Sequence, residues 1–286
     1  METQILIFGI ALPVIVGMVF SAWQIFRPKP YDSNIYFGLG ISATLFASAM
    51  SQDSLANFTT QNRWLWFPLS IILLGALSAI SCVLLRCRSA TIRNLVVFAS
   101  VVPAALLLKI PEWEHFTNRF ILGVGAAIFA ALLTIIVQKR NGFSIPMAFS
   151  FALVAPCALA ILSGFAKLAV PIAAVSCCLG FLSLVRLLRK SQTQTRDFVG
   201  LSGGVVVATI AALGVATGFG YDTKNIPLTA WILAAIAPLG ICLGEFAPIR
   251  SRPTLLAWSH IIGCIVLAAT AILITVVAFN SSERLG

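Results

Sequence analysis

Charge is what this sequence most lacks. Only 10% of its 286 residues are charged, and just nine are acidic, whereas a soluble globular domain carries ~25% charged residues. A surface so poor in charge cannot be solvated by water, so lipid is the expected main solvent. Long polar stretches are also missing. The longest segments between apolar runs, around 52–63 and 186–197, have about a dozen residues each, too few for a soluble domain of their own.

Catalytic and redox signatures are absent as well. There is no H-E-x-x-H, no G-x-S-x-G and no P-loop, and no pair of aspartates within an apolar run. The chain has two histidines, and no helix could offer two of them to a haem. No C-x-x-C occurs. Cys82, Cys157, Cys177, Cys178, Cys242 and Cys264 lie in apolar runs, where cysteine behaves as a small hydrophobe, and the vicinal Cys177 and Cys178 point to different helix faces. Cys87 differs, since Arg86 and Arg88 flank it and would favour its thiolate, but an inert loop thiol is the favoured reading. The expectation is a protein that is not an enzyme and carries no cofactor and no metal. The net charge of +10 does not imply a nucleic-acid partner, because the basic residues sit in short loops beside apolar runs, where they set topology and meet anionic lipid.

Apolar runs of helical length are plentiful. Spanning a hydrocarbon core of ~30 Å takes about 20 apolar residues, and the mean hydropathy is +1.01. Alternating ten-residue segments of the barrel type do not appear. The fold class expected is therefore an all-α polytopic integral membrane protein, one transmembrane domain over 1–286, with no soluble domain. Ten spans can be drawn, at 4–26, 35–51, 65–85, 95–110, 120–137, 145–166, 168–185, 198–220, 226–247 and 255–279. The first lacks a basic leading region and reads as a retained helix rather than a signal peptide.

Loop charge orients them. Thirteen Lys and Arg follow the odd spans: Arg27, Lys29, Arg86, Arg88, Arg93, Lys139, Arg140, Arg186, Arg189, Lys190, Arg196, Arg250 and Arg252. Only six, Arg63, Lys109, Arg119, Lys167, Lys224 and Arg284, lie on the other side. The positive-inside rule then makes the odd loops cytoplasmic and puts both termini outside, in what is expected to be a bacterial plasma (inner) membrane. Trp23, Trp64, Trp66, Phe67 and Trp258 stand at span borders, where such rings favour the headgroup layer.

Ten spans divide into two sets of five, 1–140 and 141–286, and an odd number per set would invert the second. The prolines suggest such a 5+5 inverted repeat. Pro13 pairs with Pro156, and Pro103 in SVVPAALLLKI with Pro238 in AIAPLGICLGEF. Inverted repeats with interrupted helices recur in secondary transporters, and a proline frees a backbone carbonyl that an ion or substrate can use. Gly200 and Gly204, Gly214 and Gly218, and Gly240 and Gly244 form G-x-x-x-G faces, and Gly123, Ala127 and Ala131 repeat at spacing four. Such faces let helix backbones approach, either within one chain or between chains.

The stretch from Pro238 to His260 concentrates the polar chemistry near lipid. Glu245 is the one carboxylate and His260 the one histidine inside a predicted span. Intramembrane ionisable residues are candidates for function by default, and imidazole titrates near neutral pH. The alternative is a salt bridge from Glu245 to Arg250 or Arg252 and a plain hydrogen bond from His260. PEWEH at 111–115 gathers Glu112, Glu114 and His115, but carboxylates two apart do not share a helix face, so a solvated loop anchored by Trp113 is favoured over a metal site. The expected function is a small-solute or ion transporter, with Glu245, His260, Pro103 and Pro238 at its path. The alternative is a non-catalytic membrane scaffold or accessory subunit with a protein partner.

Overall fold

The computed structural model describes residues 5–26, 33–52, 63–85, 89–111, 113, 115–138, 143–188, 199–246, 249 and 252–283. Every regular element among them is helical. After a π-helical turn at Ile5–Ala11 come α1 (Leu12–Phe26), α2 (Ser33–Gln52) and α3 (Trp66–Leu84), the last opened by a 3-10 turn at Arg63–Leu65. They are followed by α4 (Ala90–Ala99), α5 (Val101–Leu106), α6 (Phe116–Gln138), α7 (Ser144–Leu162) and α8 (Ala166–Leu188). The chain closes with α9 (Gly200–Gly220), α10 (Leu228–Ile236), a 3-10 segment (Ala237–Glu245) and α11 (Pro253–Glu283).

Among the described residues seven helical segments, against the ten spans expected, are long and apolar enough to cross a membrane: 63–84, α6, α7, α8, α9, 228–245 and 254–281 of α11. Two more, 7–19 and 90–106, are apolar but shorter. The outward faces explain where these helices belong. On α6 the side chains of Phe116, Ile121, Ile128 and Leu132 are exposed, and on α11 those of Ile262, Val266, Leu273 and Val277. Apolar faces this long would associate in water; in a bilayer they meet their own solvent. The architecture is that of a multi-pass helical membrane protein.

The bundle is built around α9. In its most apolar window 94% of the residues are buried, against 33% for α6 and for α11. A helix that is apolar all round belongs inside, and small residues let neighbours close on every side of it. A methyl group at Gly204 would meet Thr134 Oγ1 of α6 at 2.9 Å, and one at Gly214 would meet Phe67 of α3 at 3.3 Å. At Gly218 it would meet the Trp231 ring of α10 at 2.8 Å. The α2 helix seals another side, where Gly38 is opposed by Ser202 and Gly203 of α9 by Phe37, and from α3 the Ser78 hydroxyl lies 2.8 Å from that of Ser202. The G-x-x-x-G faces are thus used inside the chain.

Proline governs the irregular places. Pro13 has no N–H to give the Gly9 carbonyl one turn back; the chain widens there into the π turn, and the buried Ser48 hydroxyl of α2 donates to Gly9 O instead. Pro171 likewise leaves Lys167 O open, and Gln52 Nε2 donates to it at 3.2 Å. Two of the carbonyls released by proline therefore bond to side chains of the same bundle. Pro103 cannot bond Ala99 O, and the fourth predicted span is broken at Ser100 into α4 and α5. Pro238 cannot bond Ala234 O, and the ninth predicted span passes at Ala237 from α-helix to 3-10 helix.

The loops sort to two ends. At one, Trp64 meets Phe165 edge-on at 6.1 Å, Phe165 stacks on Tyr221 at 4.7 Å, and Thr223 Oγ1 donates to Ser163 O at 2.8 Å. Tyr221 OH reaches Lys109 O at 3.5 Å at this same end. At the other, Ser183 Oγ donates to Phe143 O at 2.6 Å. The border aromatics differ from expectation. Trp64 and Phe67 are buried in protein at 4% and 1% exposure, and only Trp258, at 62%, faces outward as a headgroup anchor would. Trp66 instead lies under Lys109, whose Nζ is 4.4 Å from the ring centroid. The Trp23 side chain lies outside the described residues.

Candidate functional site

The Pro238–His260 hairpin forms from two unlike arms. One is the nine-residue 3-10 segment Ala237–Glu245, with Pro238 at its start and Ala237, Pro238, Gly240, Ile241 and Gly244 buried. Runs of 3-10 helix beyond three or four residues are uncommon, because the hydrogen bonds are poorer, and a long one marks strain or a hinge. The other arm is the first half of α11. They touch backbone to backbone: any Cβ on Gly240 would collide with the Gly263–Cys264 peptide, and any Cβ on Gly263 with the Gly240 carbonyl. The Cys264 thiol lies 3.8 Å from Pro238 O.

One turn nearer the loop, His260 fills the space that Gly244 leaves. A methyl on Gly244 would sit 2.5 Å from both Nε2 and Cδ2 of the ring. His260 is buried at 1% exposure, and its Nδ1 is 3.3 Å from Ser144 Oγ, the first residue of α7. The ring therefore joins three elements: the 3-10 arm, α11 and the start of α7. Whether Nδ1 donates or accepts depends on its tautomer, and Ser144 can answer either. Glu245 ends the 3-10 arm half-exposed, before Phe246 turns extended and outward. Pro238 lies in this site. Pro103 lies elsewhere, in α5, where Gly123 of α6 packs on its neighbours Val102 and Ala105.

The remaining candidates stand apart. Glu112 and Glu114 lie outside the described residues, as do Cys87, Arg250 and Asn57; His115 is exposed. Among the described residues no group of three His, Cys, Asp or Glu could hold a metal ion. Cys178 and Cys264 are buried and Cys177 exposed, and the described cysteines are free thiols.

Two features escaped the sequence reading. The first is Asp222, whose carboxylate accepts from Lys224 N at 2.8 Å, Ile226 N at 2.7 Å and Trp231 Nε1 at 3.3 Å. It holds the α9–α10 turn, in which Asn225 takes φ +55°. The D-x-K-N sequence before a proline carried that turn signal. The second is a cavity of about 330 Å³ between α6, α9 and α10, lined by apolar side chains from Trp113 to Ile236. Its residues come from the segment 113–129 and, far along the chain, from α9 and α10, so no local pattern reveals it. Compared with known proteins, the chain matches no family model, no curated protein and no solved structure.

Proposed function

We propose that this chain is a small-solute or ion transporter of a bacterial plasma membrane, crossing ten times with both termini outside. The observation that carries the reading is His260, an ionisable ring buried at 1% exposure against an unusually long 3-10 segment. A change in its protonation alters its bond to Ser144 and the charge beside Gly244. The 3-10 arm can answer such a change at small cost, since rewinding it toward α-helix exchanges i+3 for i+4 hydrogen bonds. Glu245, on the same arm, is the second coupling group. Pro103 and Pro238 break the fourth and ninth spans at corresponding places, which supports the 5+5 inverted arrangement with the path between 1–140 and 141–286. The gathering of alternate loops at opposite ends supports the ten crossings.

A scaffold or accessory subunit is the second reading. It is favoured by the close glycine contacts of α9 and by an apolar cavity that no hydrophilic solute would wet. A flux measurement separates the two. The full chain is reconstituted in liposomes holding a pH-sensitive dye, and an inward proton gradient or a potassium-diffusion potential is imposed. A transporter coupled through His260 acidifies the lumen, and His260→Leu and Glu245→Gln slow this at least about tenfold, as expected for loss of a proton-relay group. Wild-type vesicles as tight as empty ones would leave the scaffold; equal flux in wild type and variants would remove these residues from the path.

A further inference from the structure

The cavity between α6, α9 and α10 is open at the surface of the bundle, where its lining residues Leu228 and Ile232 are exposed. Its wall includes Trp113, Gly125, Phe129, Ala216, Phe219 and Trp231, and beside its mouth Ile121, Ile128 and Ile232 are exposed on the outward faces of α6 and α10. None of the lining side chains bears a polar group save the two indole N–H groups, and that of Trp231 is taken by Asp222. Water needs two to four polar partners to stay in such a space, so hydrocarbon is the medium suited to it.

Gly125 provides an independent indication. At Gly123, two residues earlier, a methyl would meet Ala105 Cβ at 3.0 Å, so glycine there serves packing. At Gly125 a methyl would meet nothing within 4 Å. Glycine inside a helix costs about 0.5–1 kcal/mol relative to alanine, and among the described residues no contact calls for it at 125. What it does is keep the groove wide.

The rim carries both signs of charge. Arg119 stands one turn before Leu122 on α6 and donates to Leu106 O and Leu108 O at 3.1 and 3.2 Å. Lys224 is exposed, and its N–H bonds Asp222, the carboxylate that also holds Trp231. A phosphate finds cations in Arg119 and Lys224, and an ammonium finds the Asp222 carboxylate. We propose that the groove seats one acyl chain of a zwitterionic phospholipid, its headgroup at the rim of Arg119, Lys224 and Asp222. The site is separate from His260 and holds for a transporter or a scaffold alike.

The test reconstitutes the full chain in vesicles of equal parts phosphatidylethanolamine and phosphatidylglycerol, extracts it in mild detergent, and counts retained lipid by native mass spectrometry. Wild type keeps one phosphatidylethanolamine, Gly125→Ala keeps it, and Gly125→Phe, which fills the groove, retains at least tenfold less. Retention unchanged in Gly125→Phe, preference for phosphatidylglycerol, or a bound polypeptide in place of lipid would overturn the proposal. Should Gly125→Phe not fold, wild type suffices: chain-brominated phosphatidylethanolamine must still quench tryptophan emission once detergent has removed bulk lipid, and unquenched emission overturns the proposal.

Discussion

At the scale of the residue, the glycines do different work, and their surroundings predict opposite outcomes for the same change. Gly240 faces the Gly263 backbone, so Gly240→Ala forces the 3-10 arm off α11. It should cost about 1–3 kcal/mol, as overpacking does, and lower the thermal unfolding midpoint in detergent. Gly125→Ala has open space and removes a helix-interior glycine, so it should raise stability by about 0.5–1 kcal/mol. A midpoint that falls equally for both would contradict the assigned contacts. His260 was legible as a candidate because it is the one histidine in an apolar run. Its partners Ser144 and Gly244 were not, since Ser144 is 116 residues away and its small hydroxyl has no pattern of its own. The aromatics misled for a related reason: tryptophan at a span border suits the headgroup layer and a protein interior equally, and only the neighbours of Trp64 decide between them.

At the scale of the element, the breaks in the helices follow from proline. The sequence places Pro13, Pro103 and Pro238 inside apolar runs, and the loss of an N–H at each is certain from chemistry alone. What the bundle does with the released carbonyl is not. Ser48 serves Gly9 O, 39 residues away. Ser48→Ala should therefore cost about 1 kcal/mol in the wild-type background. In Pro13→Ala, where the backbone N–H is restored, the same change should cost markedly less, a coupling of at least about 0.5 kcal/mol in a double-mutant cycle of unfolding free energies. Strict additivity would mean that the hydroxyl does not replace the missing donor. Interhelical hydrogen bonds in membranes average about 0.6 kcal/mol, so the cycle has to resolve effects of that size.

At the scale of the whole molecule, the ends of the bundle carry the topology. Loops after the second, fourth, sixth and eighth predicted spans meet around Phe165 and Tyr221, and Phe143, Ser144, Ser183 and His260 meet at the other end. With ten crossings, cysteines introduced at Thr60 and Ser191 in a cysteine-free background label from opposite faces of sealed vesicles, Ser191 from the cytoplasmic one. Labelling of both from one face would refute the alternation. Composition and run length alone determined that this chain is helical and suited to lipid, and roughly where most of its helices lie, although the run at 95–110 is broken in two and seven described helices, not ten, are long and apolar enough to cross. The reason is that a bilayer offers the backbone no hydrogen bonds, so every crossing segment must satisfy itself locally, and local chemistry is written in the sequence. Only the tertiary structure decided that α9 is the centre, that Gly240 meets Gly263, and that a groove opens beside Gly125. In lipid the inside and the outside of a bundle are equally apolar, so the periodicity that marks a buried face in water is weak, and neighbours are chosen by fit between surfaces far apart in the chain.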